Sequence, residues 1–454
     1  MVRLALPLAL ALTLIPTTPA TAQEEAPPAS APSAELEALR HRVEALEREL
    51  TATRDKVEES ELEKIVKEAE TEAKAPEEQA DPSKREFLWG ALALQKLNPE
   101  ISVSADFTAQ LVLDDEGQFY AGRDDRSSMP IRELGLHMQH VLDPYSLFKA
   151  SICFIPWPDA EVELEEVYIT WFGIVPSLSL TVGRFRNTFG VVNRWHEHDL
   201  DQVEYPMALE LALGPGGLSG SGVSVKWFMP PLWAHANELT IEITDGENET
   251  LYAGEHFSVP TASGRLKSYY DLTESTYLEL GLSGAVGVNN RRGYVPPGGG
   301  ELRDEPWRRT LVFGADLTLQ WSPLQRAKYR SFTWRTEWFY VNKETPDDLI
   351  DGVRESWGLY SYLDYQLSTR LFAGVRFDAA LPTIRRPYED RDVAWDIVPY
   401  ITFWQSEFVY LRLEYRHGRN IPYQSEDGTL GRRTDNRVLL QIDFAAGPHK
   451  HEKY

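Results

Sequence analysis

From Ile101 to Phe444 the chain alternates apolar and polar residues with a period of two, interrupted at intervals by turn-forming residues. Ile101, Val103, Ala105, Phe107, Ala109, Leu111 and Leu113 interleave with Ser102, Ser104, Asp106, Thr108 and Gln110. The pattern returns in Leu311, Phe313, Ala315, Leu317 and Leu319 against Gly314, Asp316, Thr318 and Gln320, and in Val438, Leu440, Ile442 and Phe444 against Gln441 and Asp443. Successive side chains of a strand point to opposite faces, so each stretch has one apolar and one polar face. Sixteen strands follow, over 101–113, 131–141, 146–155, 162–171, 178–186, 221–229, 237–244, 265–271, 276–288, 308–320, 330–341, 354–367, 371–379, 393–404, 408–418 and 436–444.

Alternation alone also suits a soluble sandwich, and the connections separate the two. Leu142-Asp143-Pro144, Val175-Pro176-Ser177, Pro230-Pro231, Ser368-Thr369 and Gln405-Ser406 are tight. They take turns with long polar segments at 114–130, 187–220, 245–264, 289–307, 342–353 and 419–435. Short turns at one end and long loops at the other mark a barrel of the outer-membrane type, with both chain ends on the turn side. Aromatic residues gather at strand ends, in Trp171-Phe172, Trp227-Phe228, Trp321, Trp338-Phe339-Tyr340 and Trp404, where amphipathic rings meet lipid headgroups. The expected fold is an all-β transmembrane antiparallel barrel occupying residues 87–454.

The start of the chain agrees with export. Arg3 precedes an apolar run from Leu4 to Ile15, and Ala20-Thr21-Ala22 supplies the small residues of a cleavage site before Gln23, so residues 1–22 read as a signal peptide. That run is shorter than the roughly 20 residues a membrane-crossing helix needs. No later stretch is long enough either, which leaves a closed barrel as the way to cross. Residues 23–33, rich in Pro, Ala and Glu, read as a flexible spacer. Within 34–74, Leu36, Leu39, Val43, Leu46, Leu50, Thr53 and Val57 keep the 3-4 spacing of a coiled-coil seam, expected in the periplasm. An isolated helix of this length is marginal in water, so the seam favours association of copies over a single solvated helix. Pro76 and Pro82 end the helix in a linker over 75–86. The net charge of −24 argues against nucleic acid as a partner. The one cysteine, Cys153, can form no intramolecular disulfide.

Specific stretches resemble a known group. Arg132-Glu133-Leu134, Asp143-Pro144-Tyr145 and Val182-Gly183-Arg184-Phe185-Arg186-Asn187-Thr188-Phe189-Gly190, with Asn193-Arg194-Trp195-His196-Glu197-His198, are similar to the phosphate-selective porin group. The stretches Gln202 to Leu209 and Gly217 to Val223 and the tail Gly447-Pro448-His449 look nearer an uncharacterised branch of zinc-regulated outer-membrane proteins. The resemblance implies a sixteen-strand channel, often trimeric, with a coiled coil in front. Members that select phosphate are known for rows of lysine and arginine along the pore. Such rows are not matched here residue by residue, so phosphate selectivity is not carried over.

The connection 187–220 is the most informative loop, being too long for a plain hairpin and dense in aromatic and charged residues. It either folds inward and narrows a pore or lies over the barrel rim. Arg184, Arg186 and Arg194 flank it, and with Glu197, Asp199 and Asp201 they are the candidates for a pore constriction. Guanidinium groups there would attract anions, or else pair with Glu197, Asp199, Asp201 and Glu204. His196, His198 and Asp199 are ligand types that suit zinc, although no fixed ligand spacing is met and a hydrogen-bonded polar turn is the plainer reading. The tail histidines His449 and His451 are weaker ligands still, on a free terminus. Strand parity places Lys149, Lys226, Asp316, Arg335, Glu337, Arg376, Asp378, Arg412, Glu414 and Arg416 toward the lumen. Mixed charge there suggests broad permeability for small polar or ionic solutes.

The expected function is therefore a porin-type channel for passive diffusion, in contact with outer-membrane lipid and assembled as a homo-oligomer through coiled coil and barrel. No enzyme is expected, since neither a Gly-x-Ser-x-Gly elbow nor a His-Glu-x-x-His pair occurs. A plugged active transporter needs a folded plug and about 22 strands. A barrel that only anchors a structural or adhesive tether, or a metal-related uptake protein, remains as the alternative.

Overall fold

The computed structural model describes residues 100–113, 127–156, 160–252, 259–289, 307–344, 352–383, 392–424 and 430–447. The expected signal peptide, spacer, coiled coil and linker, and the tail histidines, lie outside these residues. Sixteen antiparallel strands close into a barrel in which each strand pairs with its neighbours in sequence and β1 closes on β16. The strands are β1 (Glu100–Val112), β2 (Ile131–Asp143), β3 (Ser146–Ile155), β4 (Glu161–Phe172), β5 (Leu178–Arg186), β6 (Ser219–Met229), β7 (Ala236–Thr244) and β8 (Thr261–Thr273). They continue as β9 (Thr276–Asn289), β10 (Arg308–Trp321), β11 (Phe332–Glu344), β12 (Val353–Gln366), β13 (Leu371–Leu381), β14 (Ala394–Ser406), β15 (Val409–Gln424) and β16 (Leu430–Ala446). No helix of the described residues is long and apolar enough to cross a membrane.

Closure is what lets these strands live in lipid, because it leaves no edge with unpaired backbone groups. The alternation reads out as expected. Ile241, Ile243, Leu282, Phe313, Leu413 and Phe444 are exposed on the outer face, while Asp443, Gln441 and Asp396 are fully buried on the inner one. Trp227, Trp334, Trp338 and Phe403 stand exposed on the outside, in keeping with an aromatic girdle. Tight turns carry their own chemistry: at Asp143-Pro144-Tyr145 the Tyr145 N–H donates to Asp143 Oδ1 at 2.8 Å.

One expected loop is corrected. Residues 419–435 do not form a long connection, because β15 runs on to Gln424 and β16 starts at Leu430, with a register shift between Gly418 and Ile421. Arg419, Asn420, Arg432 and Arg433 belong to a polar hairpin whose backbone still pairs although apolar alternation has stopped.

The inner wall departs from a simple polar lining. At the loop ends of β10 to β14 the inward positions turn apolar: Val312, Phe339, Val341, Tyr360, Ala380 and Ala394 are buried. They form a core with residues of the segment between β5 and β6. That segment therefore packs inside the barrel.

Face assignment has a direct consequence. Replacing lipid-facing Leu282 by Lys should lower barrel stability by roughly 2–4 kcal/mol if it sits near the midplane, whereas Gln320→Lys on the inner face should change it little. Urea titration of the folded, heat-modifiable band in lipid vesicles measures both, and equal losses would overturn the assignment.

Candidate functional site

The residues 187–218 leave the wall at the end of β5, cross the lumen and return at the start of β6. Two single turns of 3-10 helix (Val192–Arg194 and Glu197–Asp199) and one short helix, α1 (Met207–Leu213), give them shape. α1 ends at Gly214, whose φ of 99° disfavours any side chain with a Cβ. Asn193 closes the neck: its Nδ2 donates to Asn187 O at 2.9 Å and Leu218 O at 2.8 Å, and its Oδ1 accepts from Leu218 N at 2.7 Å.

A loop inside a barrel must still satisfy its backbone. Here carboxylates on the wall accept its N–H groups. Glu242 of β7 takes Thr188 N at 2.9 Å, and Glu337 of β11 takes Val191 N at 3.1 Å and Val192 N at 2.9 Å. Glu414 of β15 takes Val203 N at 2.7 Å, and Asp378 of β13 takes Ala208 N at 3.1 Å. Wall donors hold the carbonyls in turn. Arg132 donates to Val203 O at 2.5 Å, Arg376 to Glu204 O at 2.9 Å, Arg412 to Leu200 O at 2.8 Å and Tyr410 to His198 O at 2.9 Å. The anchors stand on strands around most of the circumference, so the segment spans the lumen.

The sequence-derived candidates fall in three places. His196, His198, Asp199, Glu197 and Arg186 gather against β2 to β4. His196 sets Nδ1 3.0 Å from Glu165 and Nε2 3.2 Å from Glu166. Two consecutive glutamates reach one ring because the β3–β4 register shifts between Ser151 and Ile152, leaving Glu165 as an extra, inward residue. His198 Nδ1 lies 3.1 Å from Glu133 and its Nε2 3.8 Å from Asp199. The two rings stack with centroids 5.6 Å apart, and His137, bonded to Ser104 and Ser151, lies beside both. Glu197 pairs with Arg132 at 3.3 Å. Arg186 donates to Gly216 O at 3.0 Å and covers the Tyr205 ring at 5.6 Å.

Asp201 lies across the lumen, accepting from the Tyr362 hydroxyl at 2.6 Å and standing 3.6 Å from Arg335, whose guanidinium lies 4.5 Å over the Trp195 ring. Arg184 stands at the wall, where the β4–β5 ladder stops at Val167 and Arg184; it donates to Leu164 O at 2.7 Å and pairs with Glu247. Arg194 donates to Thr188 at 3.3 Å. Most of these charges are thus engaged by opposite charges or carbonyls. Among the described residues no group of three or more His, Cys, Asp or Glu side chains is arranged to hold a metal ion.

Burial opposes the charge on both loop imidazoles, but the carboxylates more than offset it. Glu165 and Glu166 raise the pKa of His196 to about 9. Asp199, Glu133 and Asp443 raise that of His198 to about 10. Raised folded pKa values stabilise the docked loop fully below the ordinary imidazole value of 6.5, and this contribution is lost as pH rises toward 9 and 10. Protease resistance of the loop should therefore decline over that alkaline range. In His196→Gln plus His198→Gln the decline should vanish.

Reasoning from sequence missed Glu133, Glu165, Glu166, Glu242, Asn193 and Asn248. A signal for the docking was nonetheless present: Leu311-Val312-Phe313 and Trp338-Phe339-Tyr340-Val341 are apolar on both faces of their strands. Close approach is visible at Gly358 of β12, where an added Cβ would overlap the Ala208 carbonyl and come within 3.2 Å of Ala212 Cβ. Gly358→Ala should push α1 off the wall and lower stability by about 1–3 kcal/mol, as overpacking does. Chemical unfolding of the folded barrel checks this.

No protein-family model matches the chain. A protein of uncharacterised function from Aquifex aeolicus (strain VF5) is 27% identical over 332 residues, which cover 68% of this chain and 66% of that protein. The chain thus spans just under two thirds of that relative's length. Among solved structures, an anion-selective porin from Comamonas acidovorans is similar with a TM-score of 0.50 at 11% identity, over 77% of this chain and 99% of that one. The outer membrane channel DcaP of Acinetobacter baumannii gives a TM-score of 0.48 at 14% identity, over 77% and 96%. The fold is that of an outer-membrane porin.

Proposed function

We propose that this chain is a porin-type channel that lets small polar or ionic solutes diffuse passively across an outer membrane, past a constriction built by residues 187–218. The observation that carries the reading is the placement of that segment inside a closed barrel, tied through its own backbone to several strands. A segment so fixed narrows the lumen without sealing it by a separate plug.

The open path is read from what the loop leaves uncovered. On the side of β12 to β16, inward Arg376, Asp378, Asp396, Glu414 and Asp443 are almost wholly buried. On the side of β6 to β10, the inward residues toward the turns, Lys226, Glu238, Lys267, Tyr277, Glu279 and Gln320, stay half-exposed, while Glu242, Ser263 and Ser283 nearer the loop ends are covered. Solutes pass along this second side. Both charge signs line it, which gives a transverse field and weak ion preference rather than a selective filter. The export signal, the periplasmic coiled coil, assembly into a homo-oligomer such as a trimer, and kinship to the phosphate-selective group or its zinc-regulated branch belong to the same reading. It assigns no enzymatic reaction and needs no cofactor.

Planar-bilayer recording tests it. Purified full-length protein should give discrete conductance steps, with a reversal potential in a salt gradient close to that of an unselective pore. Removing Val192 to Leu211 should raise the step severalfold, while trimming 290–306 should leave it nearly unchanged. Absence of steps from folded, inserted protein would sink the channel reading.

A further inference from the structure

A second loop reaches into the barrel beside the first. Residues 247–252, between β7 and β8, bury Leu251 and Tyr252 in the same intraluminal core as α1. Their footings on the wall are explicit. Glu247 pairs with Arg184 at the end of β5, Lys343 of β11 donates to Thr250 O at 2.6 Å, and Thr310 of β10 donates to Leu251 O at 2.7 Å.

From that footing one side chain turns toward the constriction segment. Asn248 Nδ2 donates to Leu213 O at 2.6 Å and to Gly217 O at 2.7 Å. These carbonyls flank the glycine turn that ends α1, where Gly214, Gly216 and Gly217 all have positive φ. A helix end leaves carbonyls without partners, and a buried one needs a donor from elsewhere. The turn has one backbone bond of its own, from Gly217 N to Gly214 O at 3.1 Å. Asn248 is itself held, since its Oδ1 accepts from Leu251 N at 2.9 Å and its backbone carbonyl from Tyr252 N at 2.8 Å. α1 also meets the wall, at Ala208 N to Asp378 and, beside Leu213, at Leu211 O and Ala212 O to Thr383 just past β13.

We propose that Asn248 is a positioning residue of the channel: through it the loop 247–252, together with Thr383, holds the C-terminal end of α1 and the turn after it in place, so that two loops rather than one set the width of the constriction. The inference rests on the channel reading. It adds that pore width is sensitive to a residue that touches no passing solute.

Two variants separate this role from mere stabilisation. Asn248→Leu removes donors and acceptor together, whereas Asn248→Asp keeps the shape and the acceptor for Leu251 N but loses both donors. Each variant, as full-length protein, should still give the heat-modifiable folded band. Each should raise unitary conductance by roughly twofold, add open-channel flicker and admit larger neutral polyethylene glycols than the parent does. A residue that only stabilises would lower the melting temperature and leave the conductance of folded pores as it was. Folded variants with the parent's conductance, flicker and size cutoff would overturn the inference. So would failure of both to fold, which would make Asn248 a folding residue. A parent without conductance steps would instead remove the channel reading, and the two failures are thereby told apart.

Discussion

Everything inside this barrel depends on one demand: the backbone of residues 187–218 lies away from bulk water and must find partners on the wall. An unpaired buried N–H or carbonyl costs about 1–3 kcal/mol, so a loop of this length cannot stay inside unless most of its groups are met. The wall answers with charge. Glu242, Glu337, Asp378 and Glu414 accept loop N–H groups, and Arg132, Arg376 and Arg412 donate to loop carbonyls. Charged partners make the stronger hydrogen bonds. They also explain why the inner wall of β11 to β15 carries so many ionisable residues that meet hardly any solvent.

Those buried charges would be costly if left alone, and they are arranged in chains that leave few uncompensated. Glu204 of the loop pairs with Arg416 at 2.5 Å and Arg437 at 3.4 Å; Arg416 approaches Asp396 at 3.4 Å, and Arg376 holds Asp378 at 2.6 Å. The same logic runs at β2 to β4 through His196, His198, Glu133, Glu165 and Glu166. Removing one partner of such a pair leaves an uncompensated buried charge, at a cost of about 3–5 kcal/mol. A displaced loop would strand several charges at once, so the docked arrangement is strongly favoured over near alternatives.

The barrel was legible in the sequence because strand patterning is local. A period of two survives whatever the neighbours do, so sixteen strands and the inward direction of Lys149, Asp316, Arg335, Glu337, Arg376 and Asp378 could be read from parity alone. Where lipid stops contributing, the pattern stops too, so by pattern alone the β15–β16 hairpin beyond Gly418 reads as a loop. The destination of 187–218 was not legible, because it depends on partners as far away as Glu414, more than 200 residues along the chain. The paired placement of Glu165 and Glu166 on one imidazole needs a bulge that no local pattern announces.

The asymmetry of the lumen follows from where those partners stand. The loop departs from β5, returns at β6 and is tied to β2, β4, β7 to β9, β11 to β13, β15 and β16, so the inward positions of β6 to β10 that it leaves uncovered are those toward the turns. Its apolar residues need a dry surface, and the inward positions of β10 to β14 that turned apolar at Val312, Phe339, Tyr360 and Ala380 provide it near the loop ends. What the loop leaves uncovered is the turn-side part of that arc, lined by lysines and glutamates still in contact with solvent. A pore in this fold is thus the remainder of a packing problem. On the channel reading proposed above, its width is set by how firmly the loop is held to the wall, and its electrostatics by the charges the loop did not claim.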